Sequence, residues 1–240
     1  MTENLYQVDS YLKSFQAVVV AVDEASRAIL LDRSAFYPGG GGQPFDTGSV
    51  SFKNQQLPLL RSRKSAEGVW HLLGGESPLP PVGEAIQAEI DWPRRYSLMR
   101  THTAMHILCG VVFRDFGAQV TGGDMEALDG RMDFEFETMT RELVSVIEEA
   151  VNREVQAARA VRTKILPREE AFQIPDLIRT KINLLPAGIE FVRTVEIVGL
   201  DLQADGGTHV HNTSEVGRMR IADYKSKGKI NKRIYVRLEE

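Results

Sequence analysis

The stretch AIQAEIDWPRRYSLM, residues 85–99, marks the point where the pattern of the chain changes. Its first part is apolar, has the length of a strand and ends at Asp91, which predicts a β-strand. After Trp92-Pro93 the apolar side chains recur every three or four positions, which predicts a helix from about Arg94 to Asp115. We therefore divide the chain into two domains, residues 1–92 and residues 93–240.

Before this point the chain consists of short strand-like segments separated by turns. Each segment is rich in β-branched or apolar residues and is bounded by Gly, Pro, Asp or Asn. The predicted strands are Gln16–Val22, Ala28–Asp32, Gly48–Phe52, Leu57–Arg61, Val69–Leu73 and Ala85–Ile90. A small β-barrel is the natural way to close such a set.

After this point helices and strands mix, which predicts an α+β fold. Gly122-Gly123 is predicted as a turn, followed by a strand over residues 131–137, where side chains alternate. Thr140 is the predicted N-cap of a long helix whose buried face carries Leu143, Ile147, Val151, Val155 and Ala158. The further predicted elements are a short helix from Pro167 and the strands Phe191–Val198 and Lys232–Leu238.

Composition indicates an ordinary globular protein, with 240 residues of which 42% are hydrophobic and 26% charged. The apolar runs are too short to span a bilayer. A single cysteine, Cys109, excludes an internal disulfide and fits a reducing compartment. Cys109 lies among apolar residues of a predicted helix, which favours a buried packing residue over a nucleophile. We therefore expect a cytosolic protein with no membrane partner.

Charge is unevenly distributed along the chain. A net charge of -4 argues against a protein that coats DNA or other nucleic acid. Yet residues 218–240 contain eight Lys and Arg against three acidic residues. This segment either attracts a phosphate backbone or forms a solvated pair of strands, and composition alone favours neither.

Four of the five histidines lie in two clusters, His102 with His106 and His209 with His211. Residues four apart on a helix share one face, so His102 and His106 can direct both imidazoles at one metal ion. The alternative is a pair of histidines hydrogen-bonded to the backbone. The second cluster favours the metal site, because four-coordinate zinc needs ligands from more than one segment. No glutamate follows His102, so the general base of the zinc-protease helix is missing.

Several motifs together resemble a known family. They include RTHTAMH at residues 100–106, DGGTHVHNT at 205–213 and FYPGGGGQP at 36–44. Glu215-Val216-Gly217 and the basic KSKGK at residues 225–229 complete the set. In this order they resemble the editing domain of alanyl-tRNA synthetase and, more closely, the AlaX-type free-standing alanyl-tRNA editing proteins.

The resemblance implies a fold and an activity. It implies an N-terminal β-barrel followed by an α+β editing core similar to the second additional domain of threonyl- and alanyl-tRNA synthetase. It also implies hydrolysis of the ester that joins a wrong amino acid, usually serine and otherwise glycine, to alanine tRNA. The chain has no room for an alanine-activating region, so we expect a monomer that edits in trans.

One position departs from the pattern of the family. The resemblance implies a zinc site made of His102, His106, His209 and the residue before the Gly-Gly-Thr-His run, which is usually cysteine and here is Asp205. Asp205 can complete the zinc site, or favour another divalent ion, because a carboxylate is an acceptable ligand. Alternatively, His211 replaces the missing sulfur, or the site stays empty.

Other residues are candidates for contacts with the substrate. Thr103 is expected to act in the pocket and to bind a serine hydroxyl, and Gln43 to reach the aminoacyl end. The other expected substrate-binding residues are Gly40, Gly41, Gly42, Met105 and Thr208. For Thr103 and Met105, packing against the core is the alternative, and for the glycines a hairpin turn. Given a tRNA partner, the expected phosphate contacts are Lys225, Lys227, Lys229, Lys232 and Arg233.

Two other functional classes compete with this interpretation. A metal-dependent hydrolase of another small ester would share the histidines but would not need the basic segment. A non-catalytic tRNA-binding module with a degenerate metal site would bind without turnover, and Asp205 keeps this class open.

Overall fold

The computed structural model describes residues 2–179, 185 and 188–239 of the chain. It divides into two compact units, Met1–Tyr96 and Ser97–Glu240. The division falls inside the first helix, α1, which runs from Trp92 to Phe116. Each unit has its own elements and is described separately.

The first unit is a closed, six-stranded antiparallel barrel, as predicted. Its strands are β2 (Ser14–Asp23), β3 (Ala28–Leu31), β5 (Gly48–Phe52), β6 (Gln55–Lys64), β7 (Val69–Leu73) and β8 (Ala85–Ile90), and two short strands, β1 (Glu3–Asn4) and β4 (Arg33–Ser34), pair outside the barrel. The order around the barrel is β2-β3-β7-β6-β5-β8. Alternate residues of the strands point inward, so that Phe15, Val50 and Leu73 help to form one apolar core.

A buried ion pair fixes the glycine-rich loop within this unit. Arg95 and Asp46 are both almost completely buried, and the Arg95 Nε donates to the two carboxylate oxygens at 2.9 and 3.0 Å. The same carboxylate accepts the backbone N–H of Tyr37 at 2.6 Å, while Arg95 donates to the carbonyl oxygens of Ser10 and Ala35. Both ends of the loop between Tyr37 and Asp46 are therefore held.

The second unit is an α+β fold with two antiparallel sheets. One sheet has the order β14-β15-β10-β9 and the other β11-β12-β13. The strands are β9 (Val120–Glu126), β10 (Asp129–Glu135), β11 (Val161–Pro167), β12 (Phe191–Ile197), β13 (Asp201–Ala204), β14 (Met219–Ser226) and β15 (Asn231–Leu238). The helices besides α1 are α2 (Arg141–Gln156) and α3 (Arg168–Ala171), with a 3-10 turn at Thr213–Val216.

The long helix α2 begins where the sequence predicts. Thr140 Oγ1 accepts the N–H of Leu143 at 3.2 Å, the expected N-cap bond. Ile147, Val151 and Val155 are buried on one face of α2, as predicted. Leu143 is half-buried, and Ala158 lies beyond the end of the helix and is exposed, so its predicted place on this face is wrong. Asn152 exchanges hydrogen bonds with the backbone of Met219, which packs α2 against β14.

The predicted turn at Gly122-Gly123 is wrong. Both glycines lie inside β9, opposite Asp133 and Met132 of β10. The turn falls at residues 127–128, and Leu128 adopts a φ of 63° there. Ladder hydrogen bonds to β10 outweigh the weak strand preference of glycine.

The structure gives no sign of a bilayer-spanning helix. Within residues 2–179, 185 and 188–239, none of the helices has the length and apolar character that crossing a membrane requires.

Candidate metal centre

Helix α1 supplies two imidazoles to one buried site in the second unit. His102 and His106 are 4% and 6% exposed, and their ring centroids are 5.2 Å apart. They lie on the same face of α1 because they are four residues apart. Thr101 and Met105 occupy a neighbouring face, since the sulfur of Met105 lies against Gly130 of β10.

The segment after β13 supplies the other two side chains. His209 stacks on His102 with centroids 4.2 Å apart and lies edge-on to His106 at 4.7 Å. Asp205 is fixed by its own loop, because its Oδ2 accepts the N–H of Gly207 at 2.7 Å. Arg193 of β12 donates to the carbonyl oxygen of Asp205 at 3.0 Å, which ties the loop to the sheet.

These four residues form a donor set that fits a divalent metal ion. One ligand atom each from His102, His106, Asp205 and His209 lie within 4.8 Å of one another. His102 Nε2 is 3.4 Å from Asp205 Oδ1, and His209 Nε2 is 3.0 Å from Asp205 Oδ2. Ligand atoms around tetrahedral zinc lie about 3.3 Å apart when the bonds are about 2.0 Å long. Three imidazoles and a carboxylate are also ligand types that zinc accepts.

Electrostatics favour the protonation states that metal binding needs at three of the four residues, His102, Asp205 and His209. Burial lowers the pKa of His102 well below its usual value and lowers the pKa of His209 to about 4, so both imidazoles are neutral near pH 7. Burial raises the pKa of Asp205, but the neighbouring His102 and the hydrogen bond from His209 outweigh it and hold this carboxyl well below its usual range. For His106, burial lowers the pKa, but the carboxylates of Asp201 and Asp205 outweigh burial and raise the pKa above its usual value. Binding of a metal ion at this ring therefore releases a proton more often than at the other two.

Two imidazoles have a polar partner on the edge that faces away from Asp205. His209 Nδ1 lies 3.2 Å from Thr103 Oγ1, and the same oxygen accepts the N–H of Val210 at 3.2 Å. His106 Nδ1 lies 3.3 Å from Asp201 Oδ2, without the alignment of a full hydrogen bond. The Nε2 atoms of both rings are therefore left for the shared site.

The side chain of Thr103 contacts the loop that carries His209. This side chain is fully buried, and its oxygen contacts both His209 and the backbone of Val210. These contacts support His209 and place the hydroxyl on the far edge of that ring. The expected bond from Thr103 to a serine hydroxyl therefore has no support in this geometry.

The remaining candidate pocket residues are distributed over both units. Met105 is buried against Gly130, and Thr208 is fully buried in the loop between Asp205 and His209. Gln43 and the glycines belong to the first unit. Gln43 is 2% exposed, and its backbone exchanges hydrogen bonds with Gly40 across the turn, at 3.0 and 3.1 Å. Their contacts with substrate stay a prediction.

His211 lies outside the cluster. Its side chain is exposed, and its carbonyl oxygen accepts the N–H of Val161, which anchors the segment to β11. Because the group of converging ligand atoms contains Asp205 and not His211, the geometry supports Asp205 as the fourth ligand.

The basic segment forms the β14–β15 hairpin, and its cations differ in their surroundings. Lys225, Lys227 and Lys229 are exposed. Lys232 is 6% exposed, and its ammonium donates to the carbonyl oxygens of Gly228 and Lys229 at 2.9 and 3.0 Å. Arg233 makes a two-pronged ion pair with Asp133 of β10 at 2.7 and 2.8 Å. Lys232 is buried and Arg233 is paired across the sheet, so we retain the three exposed lysines as candidate phosphate contacts. Of these, Lys225 also pairs with the exposed carboxylate of Asp223 at 3.2 Å.

Two residues near the site escape the sequence analysis. Asp201 and Arg193 are buried beside His106 and Asp205, respectively. Neither lies in a motif with the histidines. Arg193 lies within the predicted strand Phe191–Val198, where a buried charged residue needs a partner, and this was the available signal. Asp201 lies outside the predicted strands, so the sequence offered no such signal for it.

Known proteins resemble this chain over nearly its whole length. Residues 192–235 match the family described as Threonyl and Alanyl tRNA synthetase second additional domain, and residues 3–94 match the family described as tRNA synthetases class II (A). The chain is 38% identical over 239 residues to the Alanyl-tRNA editing protein AlaX-M of Saccharolobus solfataricus, with 98% of both chains covered. It is 36% identical over 242 residues to the protein of that name from Methanosarcina barkeri, with 99% of both covered. The Alanine--tRNA ligase of Pyrobaculum neutrophilum is 36% identical over 92% of this chain, which corresponds to 25% of the ligase. At this identity over nearly the full length, the chain belongs to the AlaX-M family of alanyl-tRNA editing proteins.

Proposed function

We propose that this protein hydrolyses the ester bond that joins serine to wrongly charged alanine tRNA, with glycine as the second candidate amino acid. We also propose that a metal ion assists this reaction. Family membership makes the protein an enzyme of the deacylase type that edits alanyl-tRNA in trans. In the reaction, water adds to the ester carbonyl carbon and the bond to the ribose oxygen breaks. The products are the free amino acid and uncharged tRNA.

The observation that carries this proposal is the buried convergence of His102, His106, Asp205 and His209. When bound there, a divalent ion supplies a Lewis acid for the negative charge that develops on the carbonyl oxygen. An aminoacyl ester is already an activated bond, so positioning and charge stabilisation are the main requirements. Zinc is the ion that three imidazoles and one carboxylate fit best, and an oxygen ligand also admits other divalent ions.

The residues of this chain hold the site in the required state. His102 and His209 are neutral near pH 7 because they are buried, so their lone pairs are available. Thr103 supports His209 from behind, and the N–H of Gly207 orients the Asp205 carboxylate. The carboxylate supplies the one negative charge of the donor set, which offsets part of the charge of a divalent ion.

The hairpin supports tRNA as the partner. Lys225, Lys227 and Lys229 lie on one exposed hairpin in a chain of net charge -4. Cations concentrated in this way bind a phosphate backbone through counterion release.

The test is deacylation of alanine tRNA charged with serine, with glycine or with alanine, by the purified protein. We expect release of serine, or of glycine, at a rate far above that of alanine, loss of this activity after chelation, and recovery on addition of zinc. The variant Asp205→Asn should lose the activity, whereas Asp205→Cys should keep it because a thiolate is also a zinc ligand.

A matched control is Asp129→Asn on the exposed face of β10, where the carboxylate pairs with Arg237. This variant should edit as the unaltered protein does. If the protein binds the charged tRNA and releases no amino acid, the editing proposal is wrong. Activity that survives chelation would refute the metal-assisted route.

A further inference from the structure

Behind His106, on the side away from Asp205, lies a buried carboxylate. Asp201, at the start of β13, has a completely buried side chain, and its Oδ2 is 3.3 Å from Nδ1 of His106. A buried charge is costly unless its surroundings compensate for it. The position of Asp201 therefore requires an explanation beyond packing.

We propose that Asp201 is a positioning residue that fixes the His106 imidazole in the orientation a metal ligand needs. A carboxylate at Nδ1 holds the ring proton on that nitrogen and leaves the Nε2 lone pair for the metal. This inference rests on metal binding at the four-residue site, but not on which ester the protein hydrolyses.

Helix α1 builds the pocket that holds Asp201. His106, Gly110 and Phe113 follow one another at helical spacing on the same face. A Cβ on Gly110 would lie 2.9 Å from Leu200 Cγ and 3.0 Å from Asp201 Cβ. Only glycine lets the chain before β13 approach α1 this closely, one turn after the ligand.

Two further side chains fix the carboxylate itself. The guanidinium of Arg179 lies 3.8 Å from the ring centroid of Phe113, and its Nε donates to Asp201 Oδ1 at 3.4 Å. Gln203 Nε2 donates to Asp201 Oδ2 at 2.6 Å. The carboxylate is thus held from both sides, and its charge is partly balanced by Arg179.

These contacts form one connected support. Helix α1 carries the ligand His106 and Gly110, which allows the close approach of Asp201. It also carries Phe113, whose ring packs against the guanidinium of Arg179. Arg179 and Gln203 then hold Asp201 beside the Nδ1 of His106. A residue that merely filled space would need neither the charge nor these donors.

The experiment measures zinc affinity by competition with a chelator of known affinity, together with the thermal unfolding of the metal-free protein. In Asp201→Asn we expect zinc affinity to fall by at least about tenfold, and in Asp201→Ala by about a hundredfold. The melting temperature of metal-free Asp201→Asn should also fall, because Arg179 and Gln203 lose a charged acceptor, so zinc affinity and the cobalt spectrum distinguish a positioning role from a purely structural one. Cobalt substituted for zinc should show a changed visible absorption spectrum in Asp201→Asn.

The matched control is Asp133→Asn, which removes a buried carboxylate of the same unit that pairs with Arg233. This variant should bind zinc as the unaltered protein does. A purely structural role for Asp201 predicts a lower melting temperature in Asp201→Asn with unchanged zinc affinity and an unchanged cobalt spectrum. That result would overturn the proposal, and so would an unaltered protein that binds neither ion. Loss of zinc binding in Asp201→Asn would support the proposal even if serine-charged tRNA proved not to be the substrate.

Discussion

The hydroxyl of Thr103 serves the loop that carries His209. Its oxygen accepts the N–H of Val210 and lies beside His209 Nδ1. Thr103→Val keeps the shape of the side chain but leaves this buried N–H without its acceptor, which should cost about 1–3 kcal/mol of unfolding free energy. Zinc affinity should also fall, by roughly tenfold, because His209 loses its support. Urea unfolding and chelator competition measure the two effects.

Thr101→Val is the matched control for this change. Thr101 lies on the same helix, and its oxygen accepts the half-buried N–H of Leu128 at 2.8 Å. The control should therefore lose comparable stability and keep its zinc affinity. Equal zinc affinities in the two valine variants would contradict the role that we assign to Thr103.

A second residue-scale prediction concerns His71 inside the barrel. Its side chain is fully buried, and burial lowers its pKa from 6.5 to about 4. The unfolded chain therefore binds more protons than the folded chain between these two pH values, so stability falls as the pH drops through this window. The full loss is about 3 kcal/mol, at 1.36 kcal/mol per pKa unit.

His71→Gln removes this titration and keeps a polar group near Ser34, whose Oγ is 2.8 Å from His71 Nε2. The unfolding free energy of the variant should decline less steeply between pH 6.5 and pH 4 than that of the unaltered protein. Taking the difference between the two proteins cancels the titration of the other histidines. Parallel pH profiles would show that His71 is not responsible.

At this scale the sequence predicts the four converging side chains and misses those that support them. Helical spacing indicates His102 and His106, and the glycine-rich run indicates His209. Asp205 was identified through the family resemblance, which places a ligand directly before that run. Asp201 reaches His106 only because β13 folds back against α1, a tertiary event that local spacing does not encode. Supporting residues of this kind are identified only from the three-dimensional structure.

At the scale of elements, α1 depends on a glycine where helix propensity would prefer alanine. Gly110→Ala should gain up to about 1 kcal/mol from helix propensity alone. We expect a net loss of stability instead, because the added Cβ would lie 2.9 Å from Leu200 Cγ and 3.0 Å from Asp201 Cβ. Denaturant unfolding of the metal-free protein gives the sign of the change directly. A stabilised Gly110→Ala protein would show that Leu200 and Asp201 can move away from the added Cβ at little cost in free energy.

The elements that sequence analysis finds are those with a strong local pattern. The six barrel strands and α2 with its Thr140 cap agree with prediction, as does the alternation of β15. Strands β11, β13 and β14 were not predicted, because their sequences are polar or short and they are stabilised by pairing with β12 and β15. The turn predicted at Gly122-Gly123 was wrong for a similar reason, because pairing with β10 outweighs the turn preference of the two glycines.

At the scale of the whole molecule, charge is separated along the chain. The protein is acidic overall, with a net charge of -4. Within the β14–β15 hairpin, Lys232 donates to the carbonyl oxygen of Gly228 and Arg233 pairs with Asp133. These two cations stabilise the turn and the sheet and do not project into solvent. Lys225, Lys227 and Lys229 stand exposed around that turn. A polyanion should therefore meet this hairpin first, since like charge elsewhere repels it.

Replacing these three lysines with alanine should weaken the binding of uncharged alanine tRNA, and weaken it more at low salt than at high salt. Each lost phosphate contact reduces the slope of log affinity against log salt by about 0.7–0.9. A three-site loss should therefore reduce it by roughly 2–3. A control protein with Arg33, Lys53 and Arg63 of the barrel unit replaced by alanine carries the same charge change. If both proteins lose equal affinity, net charge governs binding and the hairpin has no special role. If only the variant without the three hairpin lysines loses affinity and salt dependence, these lysines are the phosphate contacts. They would then hold the tRNA while the buried site acts on its aminoacylated end.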